Sequence, residues 1–277
     1  LNFDEDTDDT SSEDTNTDIT VFFVEADVNE NGEKEYKGLY SLKNGVATKI
    51  LETGTDVSAT NDDTTQVYFS AKDGIYVFDA KTNNTEKYGT IADSLIGIVK
   101  TNGSDVLYVL TEDHYVYKVS DGGNKEEKLE DVKDVQEIVL DYSNNLYYYG
   151  EDKAPYVVTE NGVTKIEGLP ENPTYVRLIK PPFIIENGVV YAADDKVYVI
   201  YVNGTSEMTD FILQEKPSAY APEATLIQYY SYNKKIYEYN VLQIVLGELL
   251  NELKNILEDK VELIQSIATR SRSELTA

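Results

Sequence analysis

The side chains best suited to chemistry are few. His114 is the only histidine, and the chain has no cysteine. A Ser-His-Asp triad would have to be built on His114. That residue lies in TEDHYVY, between two strand-like runs, and reads as an exposed turn position. With one histidine and no thiol, multi-histidine or cysteine-ligated zinc, thiol catalysis and disulfides are all excluded. Carboxylates are plentiful, and five recur at a regular place: Asp27, Asp73, Asp113, Asp152 and Asp195 each follow an aromatic run. Convergent carboxylates could hold calcium in a central channel and support a metal-dependent, lactonase-like hydrolysis. Turn chemistry alone accounts for their spacing. The residues therefore point away from an enzyme and call for no cofactor.

The aromatic residues are the more telling set. There are 23 Tyr, 7 Phe and no Trp. Tyrosine suits a half-buried strand, because the ring packs while the hydroxyl reaches water or a carbonyl. Most of these rings are expected in the core. Two clusters carry more aromatics than packing needs: Tyr148 and Tyr149 in LYYYG, and Tyr230 and Tyr232 in QYYSY. Strand neighbours face opposite sides, so one ring of each set can face a channel or a sheet edge and stack on a planar ligand. These four tyrosines are the ligand-binding candidates. Three Asn-x-Ser/Thr sequons, at Asn83, Asn102 and Asn203, sit at expected turns and are candidate glycosylation sites.

The elements that must carry these residues form a repeat. The runs VFFVEAD, VYFSAKD, LYVLTED, LYYYGED, VYAADDK and QYYSYNK place aromatics at Phe22, Tyr68, Tyr108, Tyr147, Tyr191 and Tyr229. A second strand follows each, with Tyr40, Tyr76, Tyr117, Tyr156, Tyr198 and Tyr237 aligned. Turns come next, at Asn44-Gly45, Asn83-Asn84, Gly122-Gly123, Asn161-Gly162 and Asn203-Gly204, residues that accept positive φ. A third strand begins after each turn. A further apolar run, as in SLIGIVKT, VQEIVLD or TYVRLIK, is expected to close the unit as its fourth strand. Four short strands recurring about every 40 residues are the signature of a propeller blade. A lone twisted sheet cannot cover both its apolar faces, and sheets stacked around an axis cover each other. The expected fold is all-β, a six-bladed β-propeller over 20–245. NENGEKEY in the first unit is expected to form a longer surface loop, and Pro181-Pro182 a rim loop or bulge.

The ends differ from the repeat. Residues 1–19 form an acidic, low-complexity head that is expected to be disordered. A chain that starts at Leu1 reads as a processed or trimmed form. Residues 246–277 read as an amphipathic helix with a frayed tail. Its apolar face would hold Leu246, Leu249, Leu250, Leu253, Ile256, Leu257, Leu263, Ile264 and Ile267. Such a face must be covered, either by the propeller or by another chain. Ring closure is expected to use either the stretch 18–24 or the stretch 241–245.

The formal net charge of −27 repels nucleic acid and anionic membrane as partners. No apolar run is long enough to span a bilayer. The blade pattern, an apolar-Tyr-x-x-x-Asp run followed by a Gly-Ile-Tyr type strand and Asn-Gly, resembles six-bladed propellers of the lactonase-like and YWTD types. Among these it is most similar to the secreted ommochrome-binding proteins of moths. That resemblance covers about 21–240. It implies an extracellular, secreted carrier of a planar pigment. The leading expectation is thus a non-enzymatic binding protein for an aromatic or apolar small molecule. The alternatives are an assembly protein that oligomerises through its C-terminal helix, and the lactonase-like hydrolase.

Overall fold

A computed structural model describes residues 19–30, 33–60, 66–181, 185–223 and 227–240. The acidic head and the whole stretch 241–277 lie outside these, and with them the expected helix and one of the two closure segments.

The regular elements of the described residues are all β-strands, arranged as six antiparallel sheets. The first sheet holds β1 (Val21–Val28), β2 (Lys34–Lys43) and β3 (Val46–Leu51). The second holds β4 (Gly54–Ala59), β5 (Val67–Ala71), β6 (Gly74–Asp79) and β7 (Asn84–Tyr88). The third is β8 (Leu95–Lys100), β9 (Leu107–Thr111), β10 (Val116–Ser120) and β11 (Lys125–Lys128). The fourth is β12 (Val135–Leu140), β13 (Leu146–Gly150), β14 (Pro155–Thr159) and β15 (Gly162–Lys165). The fifth is β16 (Val176–Ile179), β17 (Gly188–Ala193), β18 (Lys196–Tyr201) and β19 (Ser206–Ile212). The sixth holds β20 (Ala219–Glu223), β21 (Ile227–Tyr232) and β22 (Lys235–Asn240). Within each sheet the strands pair in chain order. The first strands β4, β8, β12 and β16 touch one another from sheet to sheet and so surround the axis. The protein is a six-bladed β-propeller.

Two expectations change. LIGIVK, VQEIVL and VRLI do not close the units they follow. They are β8, β12 and β16, and each pairs with the aromatic strand after it. A period has no built-in origin, and the tight hairpin onto the next strand sets the phase. The insertion NENGEKEY is a loop only in part, because Lys34, Glu35 and Tyr36 pair with Val28, Asp27 and Ala26 and lengthen the β1–β2 hairpin. Val21–Val24, a candidate for ring closure, pair with β2 inside the first sheet. β1 aligns with the second strands of the other sheets, so among the described residues the first sheet has no axial strand.

The hairpins follow the expected turn chemistry. Asn44 and Gly45 both take positive φ, 50° and 76°, the pair of left-handed residues that matches the twist of a two-residue turn. Packing is sheet on sheet. Phe22, Val24 and Leu39 of the first sheet meet Val67, Phe69 and Phe78 of the second. Tyr68 and Ile75 meet Leu95, Ile98, Leu107 and Val109 of the third. Leu110 and Val116 meet Val135, Ile138, Leu140 and Tyr148 of the fourth. Val139, Tyr147 and Val157 meet Leu178, Val189, Tyr191 and Ile200 of the fifth. Each such side chain contributes about 1.5–3 kcal/mol when fully buried. Among the described residues no comparable buried cluster joins the fifth sheet to the sixth.

Candidate functional site

The axial strands carry the polar groups that most constrain the site. Their N–H groups have no ladder partner on the axis side and are capped by side chains of the preceding sheet. Asp56 Oδ2 accepts the Ile98 N–H at 3.0 Å, and Ser58 Oγ accepts the Lys100 N–H at 3.0 Å. Glu137 Oε2 accepts the Leu178 N–H at 3.0 Å, and Glu137 Oε1 pairs with Arg177 Nη1 at 2.8 Å. Arg177 also donates to the Ser218 carbonyl, and the Tyr175 hydroxyl donates to the Pro217 carbonyl at 2.9 Å. The fourth, fifth and sixth sheets are thereby tied together at the axis. Burial pushes the Asp56 carboxyl up to about 6, against the pull of the Ile98 and Val57 N–H groups.

The four tyrosine candidates divide. Tyr148 is 5% exposed, packs toward the third sheet and stacks on Tyr156 with ring centroids 5.2 Å apart. Burial pushes its hydroxyl up to about 12. Tyr149 sits half-buried beside Glu137 and Arg177, where burial and then the Glu137 charge push its hydroxyl well above the ordinary tyrosine value. It is thus engaged by the axial ion pair. Tyr230 stacks on Tyr237 at 5.1 Å, and Tyr237 is 37% exposed. Tyr230 and Tyr232 are both half-buried, and the neighbouring Glu215 pushes the Tyr232 hydroxyl up.

Register collects a row that sequence reading missed. Tyr220, Tyr230 and Tyr237 are direct cross-strand partners on β20, β21 and β22, so all three share one face of the sixth sheet. Gln228 and Tyr232, two residues to either side of Tyr230, share it too. In the second sheet the matching pair is Phe69 and Tyr76, which faces the first sheet, with Phe69 fully buried. The equivalent face of the sixth sheet therefore turns toward the fifth. There, Val189, Tyr191, Tyr198 and Ile200 pack back on the fourth sheet. Alternation leaves Val190, Val197 and Val199 directed at the sixth, each only half-buried. The result is an aromatic wall opposite an aliphatic one, with Arg177 and Tyr175 bridging to the sixth sheet at the axial end. The tyrosine triplets of the sequence gave part of this signal, but only strand register reveals Tyr220 and Tyr237 as members.

Other marked residues resolve into structure. His114 takes φ 64° in the β9–β10 turn and is half-buried, not exposed. Its Nδ1 lies 2.7 Å from the Val135 carbonyl, so it clips the third sheet to the fourth. Asp73 and Asp152 accept the hydroxyls of Tyr76 and Tyr156 at 2.8 and 2.9 Å. Asp27 pairs with Lys37. Among the described residues no group of three or more His, Asp or Glu is placed to hold a metal ion. Asn83 and Asn203 are exposed, whereas Asn102 is part-buried and its Nδ2 donates to the Tyr142 carbonyl. Pro181 is buried in the β16–β17 connection; Pro182 lies outside the described residues. A recess of about 480 Å³ opens between the fourth and fifth sheets, lined by Lys153, Ile166, Leu169, Pro170 and Tyr191 among others. No described helix is long and apolar enough to cross a membrane.

No protein-family model and no curated protein matches the chain. Solved structures do. The extracellular domain of a putative hybrid two-component system, BT4673 of B. thetaiotaomicron, superposes with TM-score 0.50 at 11% identity, over 80% of this chain and 35% of that one. The chain thus spans about a third of the length of that domain. The RRP9 WD40 repeats superpose with TM-score 0.52 at 13% identity, over 81% and 80% of the two chains. At such identities the likeness shows the propeller fold alone. The finer resemblance to moth ommochrome-binding proteins finds no support among these comparisons.

Proposed function

We propose that this propeller is a non-enzymatic binding protein whose ligand is a planar aromatic or apolar small molecule. The observation that carries the reading is the sixth sheet. Tyr230 and Tyr232 stay half-buried at positions that are closed core elsewhere in the repeat, such as Phe69, Val109 and Tyr148, and beside them Tyr220 is half-buried and Tyr237 37% exposed, opposite half-buried valines. A planar ring inserted there gains stacking on tyrosine and burial against Val190, Val197 and Val199. Gln228 and Tyr232 supply polar groups on the same face. The ligand site moves accordingly from Tyr148 and Tyr149, which the fold consumes, to the row on β20–β22. An extracellular location and glycans at Asn83 and Asn203 accord with the exposed sequons. Assembly through the C-terminal helix concerns residues outside the described ones. The hydrolase alternative lacks a carboxylate cluster among the described residues.

The chain has no tryptophan, so tyrosine emission reports binding directly. Titration with a planar fused-ring dye should quench it saturably in the wild-type protein. Tyr230→Ala combined with Tyr237→Ala should weaken binding by about tenfold, the worth of two lost aromatic contacts. Equal affinity in the double variant sinks the assignment.

A further inference from the structure

The outermost strands of the sheets form the rim; β3 exposes Val46 and β22 exposes Ile236 and Tyr237, and the outer strand of the fifth sheet exposes most. β7 (NTEKY), β11 (KEEK) and β15 (GVTK) are dominated by charged and small polar residues, the usual protection of an unpaired strand edge. β19 (SEMTDFI) is longer, at seven residues, and exposes Met208, Phe211 and Ile212 to 59, 77 and 70%. Phe211 is the most exposed large hydrophobic residue among those described.

Its presentation is built into the strand. Lys196 pairs with Ile212 and Tyr198 with Met208, so the three residues 209–211 stand opposite Val197 alone. Thr209 Oγ1 donates to the Val197 carbonyl at 2.9 Å and accepts the Phe211 N–H at 3.3 Å. One hydroxyl thus replaces the ladder bonds that the bulge removes, and the bulge re-aims the side chains beside it. A bulged edge is a poor template for strand addition, so recognition here works through side chains. An exposed aromatic flanked by aliphatic residues is the composition of an interface anchor.

Charge selects the partner. Glu207 and Asp210 lie on the strand, and Asp194 and Asp195 form the turn before β18, against Lys196 opposite Ile212 and Lys216 near Asp194. The chain as a whole carries −27, which opposes a second copy on this face. We propose that the bulged stretch 208–212 of the fifth blade docks on a protein surface that offers an apolar pocket to Phe211 and a lysine- or arginine-rich rim to its acidic surroundings. This surface lies on the rim and is independent of the tyrosine row.

The test uses the full chain and three short synthetic peptides, alternating Leu-Lys, Leu-Glu and Ser-Lys, with binding followed by fluorescence anisotropy. The Leu-Lys peptide should bind best. Phe211→Ser with Ile212→Thr should weaken it by about tenfold, while Val46→Ser, at an equally exposed site on β3, should leave it unchanged. Unaltered Leu-Lys binding in the Phe211→Ser variant overturns the proposal, as does Leu-Glu binding as tight as Leu-Lys. Sedimentation of the peptide-free protein provides the remaining check: a dimer that disappears in the Phe211→Ser variant would make a second copy the occupant and refute a basic partner. All the substitutions are at exposed positions, and unchanged far-ultraviolet dichroism establishes that each variant is folded.

Discussion

Single residues matter most where the axial strands meet. Asp56 keeps some contact with solvent yet is pushed up from 3.8 to about 6, chiefly by burial. Between those values the folded chain holds a proton that the unfolded chain has released. The stability from this group is therefore complete below about pH 4 and is lost as pH rises through about 6. Wild type should gain stability relative to Asp56→Asn as pH falls from about 7 to about 4, by at most about 3 kcal/mol for a shift of this size. Urea unfolding of both proteins at the two pH values measures it, and a constant difference contradicts the assignment. Arg177 and Glu137 make the same point without titration, since each satisfies the other beside the axis and leaves neither charge unpaired. None of these roles was legible in the chain. Asp56, Glu137 and Arg177 lie 81 and 40 residues apart, and only the turn of the sheets around the axis brings them near one another. The turn aspartates, by contrast, were legible, because their partners lie within a few residues.

At the scale of elements, the loops between sheets are pinned by close backbone approaches. Gly89, after β7, takes φ 72°, and a Cβ there would stand 2.2 Å from the Gly123 carbonyl oxygen. Gly123, in the β10–β11 turn, takes φ 84°, and its Cβ would meet Gly89 Cα at 2.7 Å. The Thr90 N–H donates to the Gly123 carbonyl at 3.1 Å across this contact. Gly89→Ala or Gly123→Ala should each lower stability by about 1–3 kcal/mol, because neither backbone can withdraw without breaking the junction. Gly103→Ala, with positive φ but open space around it, should cost only about 1 kcal/mol. Thermal unfolding of the three variants separates steric contact from backbone strain. Strand existence, hairpin turns and the period were all readable from alternation and turn residues. The phase of the unit was not, because an apolar run between two aromatic strands can pair with either until the connection lengths are known in space.

For the whole molecule, a net charge of −27 means that the folded state works against its own repulsion. Raising salt from low to physiological concentration should therefore increase the melting temperature by a few degrees, since exposed charges more than a Debye length apart become screened. A melting temperature that falls with salt would show that exposed ion pairs such as Lys37–Glu35, at 2.6 Å, outweigh the general repulsion. The sequence by itself determined the all-β class, the six repeats and the aromatic strands. These follow from local alternation and turn propensity, which each segment carries within itself. Tertiary structure alone decided which tyrosines are spent in closed sheet interfaces and which remain open. Tyr148 and Tyr230 stand in near-identical strings, LYYYG and QYYSY, and differ only in how closely the preceding sheet packs over them. Burial is a property of the neighbouring sheet, about 40 residues away in the chain, and no single strand encodes it.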